Sequence, residues 1–204
     1  MANQDAPFGF RAVGGTGSSY MTQGTSRYEI SDNWTNAIYQ GDLVGAGDGA
    51  VTDRAGTTSV KGYIFGSIAA STLNLGVFNG CYYIDPTTAK PTWKNYYPGA
   101  VNITTGTIAA YCYDNPQQLY EVQTSGTLTQ TDVGSLIDQA TYVAGTAING
   151  HSKTEIGGTS QVATAQFRIV RLSDDPSNND TGSANSNWVV RLNESIYYNS
   201  AILS

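Results

Sequence analysis

Short runs of β-forming residues, broken every few positions by Gly, Asn, Asp or Pro, predict an all-β protein: an antiparallel β-barrel or sandwich with an extended N-terminal arm and at most short helical turns. Two further observations carry that reading. In Ala165-Gln166-Phe167-Arg168-Ile169-Val170-Arg171-Leu172, Phe167 and Ile169 point one way while Gln166 and Arg168 point the other, as in a strand buried on one side. No helical pattern is long enough to carry parallel crossovers, so neighbouring strands are expected to run antiparallel.

Residues 1 to 26 place Gly9, Gly14, Gly15, Gly17 and Gly24 among Ser and Thr with only scattered apolar residues, which reads as an arm without helix or sheet periodicity. Residues 27 to 204 form the core domain. A solvated tail has little use for Phe8, Phe10 and Tyr20, so an arm that orders on a neighbouring subunit stands beside the plainer reading of a disordered tail. Composition alone leaves both open.

Beyond the arm, candidate strands are 27–31, 37–40, 42–46, 59–67, 76–85, 91–96, 107–114, 119–125, 141–144, 165–172 and 187–193. Asp85-Pro86, Asn115-Pro116 and Asp175-Pro176 start turns with proline's fixed φ, and Asn79-Gly80 and Asn149-Gly150 offer positive-φ positions. Asp132 is placed to cap a turn through Val133 to Gln139, which Gly134 weakens.

Only 13 % of the 204 residues are charged, while there are 23 Gly and 14 Tyr, so Thr, Ser, Asn and Gln carry the polarity. Such a surface is desolvated against a partner at lower cost than one of Lys and Glu. The net charge of -6, without any basic stripe, argues against a nucleic-acid partner. No apolar run reaches the length of a membrane helix, and no secretory signal pattern opens the chain, so synthesis in the cytoplasm without membrane association is expected. Cys81 and Cys112 exclude a four-cysteine zinc site and read as two small buried hydrophobes, with a late disulfide as the lesser reading.

Chemistry is sparse. His151 is the lone histidine and no Gly-x-Ser-x-Gly elbow accompanies it, which favours an exposed loop residue over a catalytic base. Asp114, Glu121, Glu155 and Glu194 are strand-proximal acids that nothing in the sequence pairs for glycoside hydrolysis. Asp174 to Gly182 has the oxygen-rich composition of a calcium loop without its spacing, and reads first as a polar turn. No enzyme activity, cofactor or metal is expected.

Aromatics cluster at Tyr82-Tyr83, Trp93, Tyr96-Tyr97, Tyr111, Tyr113 and Tyr120. Core filling and cross-strand pairing come first, with a sugar-stacking or protein-binding face as the alternative. Tyrosine in excess of one core suits subunit interfaces. Candidate contact residues are therefore Phe8, Phe10, Arg11 and Tyr20 in the arm and Tyr96 and Tyr97 in the body.

The opening Met1 to Arg11 resembles the start of a family of virion structural proteins from marine and freshwater tailed bacteriophages. Blocks at 38–44, 76–83, 110–116, 120–123, 166–172 and 189–193 follow in that family's order. The resemblance spans most of the chain. It implies a head decoration, or cement, protein: a β-barrel subunit that trimerises over threefold or quasi-threefold positions on the outer surface of the capsid, with the major capsid protein as partner. A tail- or surface-associated carbohydrate-binding β module is the alternative function.

Overall fold

The computed structural model describes residues 3–16, 24–30, 34–46, 51–52, 58–59, 64–66, 74–103, 106–140, 142–161 and 164–197. It is all-β, and its one described helical element is a 3-10 turn at Gln130–Asp132. The strands are β1 (Arg11–Gly15), β2 (Ser26–Ile30), β3 (Leu43–Ala46), β4 (Val51–Thr52), β5 (Thr58–Ser59), β6 (Ile64–Gly66) and β7 (Asn74–Ile84), followed by β8 (Pro91–Lys94), β9 (Ile108–Tyr113), β10 (Gln118–Gln123), β11 (Leu136–Ile137), β12 (Phe167–Leu172) and β13 (Asn187–Leu192). The first sheet runs β1-β10-β13-β12-β11. The second runs β2-β9-β7-β3-β6 with β8 added to β7, and β4 and β5 form a separate ribbon. All these pairings are antiparallel.

Period-two patterning builds the first sheet. Tyr120 faces Val190, Val122 faces Trp188 and Phe167 faces Leu192, and all six are buried in one core cluster. Cross-strand pairs of aromatic and β-branched residues are the stabilising unit of such a face. Leu43 and Val77 of the second sheet join the same cluster, so it lies between the two sheets.

The second sheet curls around a core of its own, formed by Ile30, Val44, Phe78, Tyr83, Ile108 and Cys112 among others. Its outermost strands, β2 and β6, approach each other, which makes the sheet a half-barrel. β7 has register shifts against β3 next to Leu75 and against β9 at Asn79. Each inserts one residue, so Leu75, Phe78 and Cys81, three apart, all reach the same core. Both cysteines are free and buried there, and burial pushes the Cys81 thiol up to about 12.

The three predicted Asx-Pro turns share one device. Asp85, Asn115 and Asp175 each accept a backbone N–H two residues on, at 2.8, 2.8 and 3.0 Å. Asp132, expected to cap a turn after it, instead closes the turn before it by accepting the Thr129 N–H at 2.8 Å. Gly134, at φ +90°, then turns the chain into β11. Residues 37–40 make only isolated bridges, Ile38 to Tyr97 and Gln40 to His151. Residues 142–144 form no strand.

The described part of the predicted arm belongs to the body. β1 pairs with β10, and Phe10, 3 % exposed, stacks on Phe167 at 4.5 Å and meets Tyr120 edge-on at 6.4 Å. The loop considered for calcium is the clasp that holds this segment. Asn178 accepts the Gln4 N–H at 2.9 Å and donates back to the Gln4 carbonyl at 2.9 Å, while Asn3 donates to the Asp180 and Ala184 carbonyls. Gln123 completes it, accepting from Ala6 N–H at 3.0 Å and donating to the Gln4 carbonyl at 2.9 Å.

Removal of the Phe10 ring leaves a hole among Phe167 and Tyr120, so Phe10→Ala is expected to lower unfolding stability by about 3–5 kcal/mol. Urea denaturation followed by tryptophan fluorescence measures this. A change below about 0.5 kcal/mol, the usual range for surface substitutions, would return Phe10 to a detachable arm.

Candidate functional site

The N-terminal segment, the second sheet and the 142–156 segment meet at Gln40 and Gly41. Gly41 accepts the Phe10 N–H at 2.9 Å and donates to the Phe78 carbonyl at 2.9 Å. Gln40 donates to the Gly150 carbonyl at 3.0 Å and accepts the Ser152 N–H at 2.9 Å. Closeness at this crossing requires glycine at position 9, where φ is +76° and a Cβ would lie 2.5 Å from that of Ser152.

A cleft of about 300 Å³ opens at the junction, with Phe8, Arg11, Gln40, Asn79, Tyr113 and His151 in its wall. The lining mixes aromatic rings with two amides and an imidazole. Gln40 donates to Asn79 at 2.9 Å, which ties the two amides together. The Arg11 guanidinium lies over the Phe8 ring at 5.0 Å and pairs with Glu121, a carboxylate that also accepts the Ser173 hydroxyl. That pairing holds Arg11 in place along the cleft's rim. Among the described residues, the wall contains no carboxylate and no Ser, Thr or Cys side chain.

Beside the cleft rises the turn that carries Ile148. Gly150 N–H reaches the Thr146 carbonyl at 2.8 Å, the Thr146 hydroxyl reaches Asn149 Oδ1 at 2.6 Å, and His151 N–H reaches the same oxygen at 3.1 Å. From the body, Asn95 donates to the Asn149 carbonyl at 2.7 Å. On this locked turn the Ile148 side chain is 98 % exposed. It is a hydrophobic knob on a rigid mount.

Of the predicted contact residues, the fold brings Phe8, Phe10 and Arg11 together at the cleft. Tyr96 stands nearby, stacked on Tyr39 at 5.9 Å with the Lys94 ammonium 5.4 Å above its ring. Two of the six are corrected. Phe10 belongs to the core, and Tyr97 is fully buried, donating to the Trp34 carbonyl at 2.9 Å and accepting the Val101 N–H at 3.2 Å. Neither ring has surface left for a partner. Tyr20 lies outside the described residues. Ile148 was not among the predicted contacts, and the signal for it is a β-branched apolar residue directly ahead of an Asn-Gly turn.

Beneath the junction sits Asp42, 1 % exposed. Its carboxylate accepts Tyr39 N–H at 2.8 Å and the hydroxyls of Thr154 and Tyr142 at 3.4 Å each, and Ser152 adds another hydrogen bond. Burial outweighs these donors and raises its pKa from 3.8 to about 6. Among the described residues, no group of His, Cys, Asp or Glu gathers as a metal site.

Comparison with family models, with curated proteins and with solved structures finds no match to this chain.

Asp42 makes stability depend on pH in a defined direction. In the folded chain the carboxyl holds its proton up to a higher pH than in the unfolded chain, so its contribution is complete below pH about 4 and is lost as pH rises through about 6. Asp42→Asn removes this dependence. The stability difference between the native protein and this variant, measured by urea denaturation from pH 4 to pH 7.5, is expected to shift against the native protein as pH rises. A difference that stays constant across the range would contradict the assignment.

Proposed function

We propose that the chain is a structural component of a tailed-phage virion, a head decoration protein that docks across seams between capsid subunits on the outer surface of the head. The resemblance of its ordered blocks to that family supplies the identity of the partner, the major capsid protein, and a trimer as the docking unit. A low share of charged residues supports the same reading, because the surface between seams is desolvated with few ionic groups to pair.

The observation that carries the reading is Ile148. An isoleucine held fully in water on a turn with four fixed hydrogen bonds gains only when a partner covers it. Burial of such a side chain contributes about 1.5–3 kcal/mol per copy. The turn is already ordered, so little conformational entropy is lost on docking. Three knobs per trimer, engaged together, raise the effective affinity well beyond that of one. Decoration of a pressurised shell requires this kind of summed, chemistry-free contact.

Ile148→Asn tests it, since the exposed position tolerates the change in fold. Phage carrying the variant are expected to show a lower copy number of this polypeptide per particle, measured by quantitative mass spectrometry of purified virions, and heads that rupture at lower temperature. Native occupancy in the variant would remove Ile148 from the account. Absence of the native polypeptide from purified heads would remove the decoration reading itself, and a few copies per particle instead of hundreds would favour a tail-associated module.

A further inference from the structure

We propose that the outer face of the second sheet is a glycan-binding platform on which the indole of Trp93 stacks against the C–H face of a pyranose, with a chain of neutral hexopyranose units as the ligand. The proposal goes beyond capsid docking and uses different residues.

The strand register assembles the platform. Tyr82 on β7 lies opposite Trp93 on β8 and opposite Ala109 on β9, and Gly80 lies opposite Tyr111. Directly opposed residues share a face, so Trp93, Tyr82 and Tyr111 come to one side of the sheet. Ile84 and its partner Pro91 extend the strip along the strands. Trp93 is 53 % exposed and Tyr82 41 %.

The indole is laid down and not left to swing. A Cβ built on Gly80 would fall 2.7 Å from Trp93 Cζ2, 3.2 Å from its Cη2 and 2.9 Å from the Lys94 carbonyl oxygen. The benzo edge of Trp93 therefore occupies the space that any side chain at position 80 would need. From there the ring reaches Tyr111, with centroids 5.1 Å apart and planes tilted by 53°. One side of the indole is fixed on the sheet, and about half of the side chain is still open to water.

Size and polarity select the occupant. An aromatic side chain buries about 150–250 Å², so the exposed parts of Trp93, Tyr82 and Ile84 together offer roughly 300 Å², far below the roughly 800 Å² per partner of a specific protein interface. One or two sugar rings cover that area. The next strand, β2, places Arg27 opposite Tyr111, so that row of the platform ends in a cation. A protein laid over it would have to pair that charge as it dried it. Sugar hydroxyls donate and accept at the same rim, together with the phenol groups of Tyr82 and Tyr111, and leave the cation in water.

Isothermal titration calorimetry and acrylamide quenching of tryptophan, with cellohexaose, maltohexaose and laminarihexaose as probes, test the proposal on the full chain. Saturable binding of at least one probe is expected, with Trp93 protected from quenching, and Trp93→Ala should weaken it by about tenfold or more. Trp93→Phe, which keeps a ring on the sheet, should retain part of the affinity and guards against loss of fold in the alanine variant. No saturable binding of any probe up to millimolar concentration overturns the proposal, and so does binding that Trp93→Ala leaves unchanged. Ile148→Asn should leave sugar binding intact and Trp93→Ala should leave particle occupancy intact, so failure of this inference and failure of the capsid reading are separately visible.

Discussion

The constraint on which the architecture rests is the set of backbone hydrogen bonds made by Gln40, Gly41 and Asp42. Three consecutive residues bond three distant segments: Phe10 of the N-terminal stretch, Phe78 of β7, and Gly150 with Ser152 of the segment that carries the knob. Each bond contributes about 0.5–1.5 kcal/mol alone. Their importance lies in what they join, because no other part of the described chain ties these segments at one point. The cleft is the space left where they cross, and the orientation of the Ile148 turn follows from the parallel bridge between Gln40 and His151.

A buried carboxylate under that junction looks costly, and its raised pKa says that it is. Asp42 nevertheless accepts from the backbone of its own turn and from Tyr142, Ser152 and Thr154 of the crossing segment. Its oxygens give a wide loop three reasons to lie in one place. An apolar residue there would remove the desolvation penalty but leave those donors unpaired, which costs more per group than an average hydrogen bond returns.

What was legible in the sequence was whatever depended on near neighbours. The alternation at Phe167 and Ile169 gave the correct inner face, and the Asx-Pro turns followed from side chains that bond two residues on. The N-terminal segment was not legible, because its partners are far away: Asn178 is 174 residues from Gln4, and Glu121 is 110 from Arg11. Its glycines looked like those of a tail, whereas Gly9 is required by a close crossing. Tyr96 and Tyr97 show the same limit. Adjacent residues in an extended segment point to opposite sides, and only the fold decides that Tyr97 enters the core and Tyr96 stacks on Tyr39. Contact candidates chosen by residue type alone therefore mixed inside with outside.

The cleft and the aromatic platform are governed by one irregularity. The register of β7 against β9 shifts between Phe78 and Gly80, so three successive residues take three roles: Phe78 fills the core, Asn79 lines the cleft, and Gly80 lies beneath Trp93. In a regular strand Phe78 and Gly80 would share a face, and the glycine that lets the indole lie flat would sit on the core side. The extra residue moves it out. A bulge re-aims side chains without altering the sheet that holds them, and here a single inserted residue separates the residue that lines the cleft from the glycine on which the Trp93 ring rests.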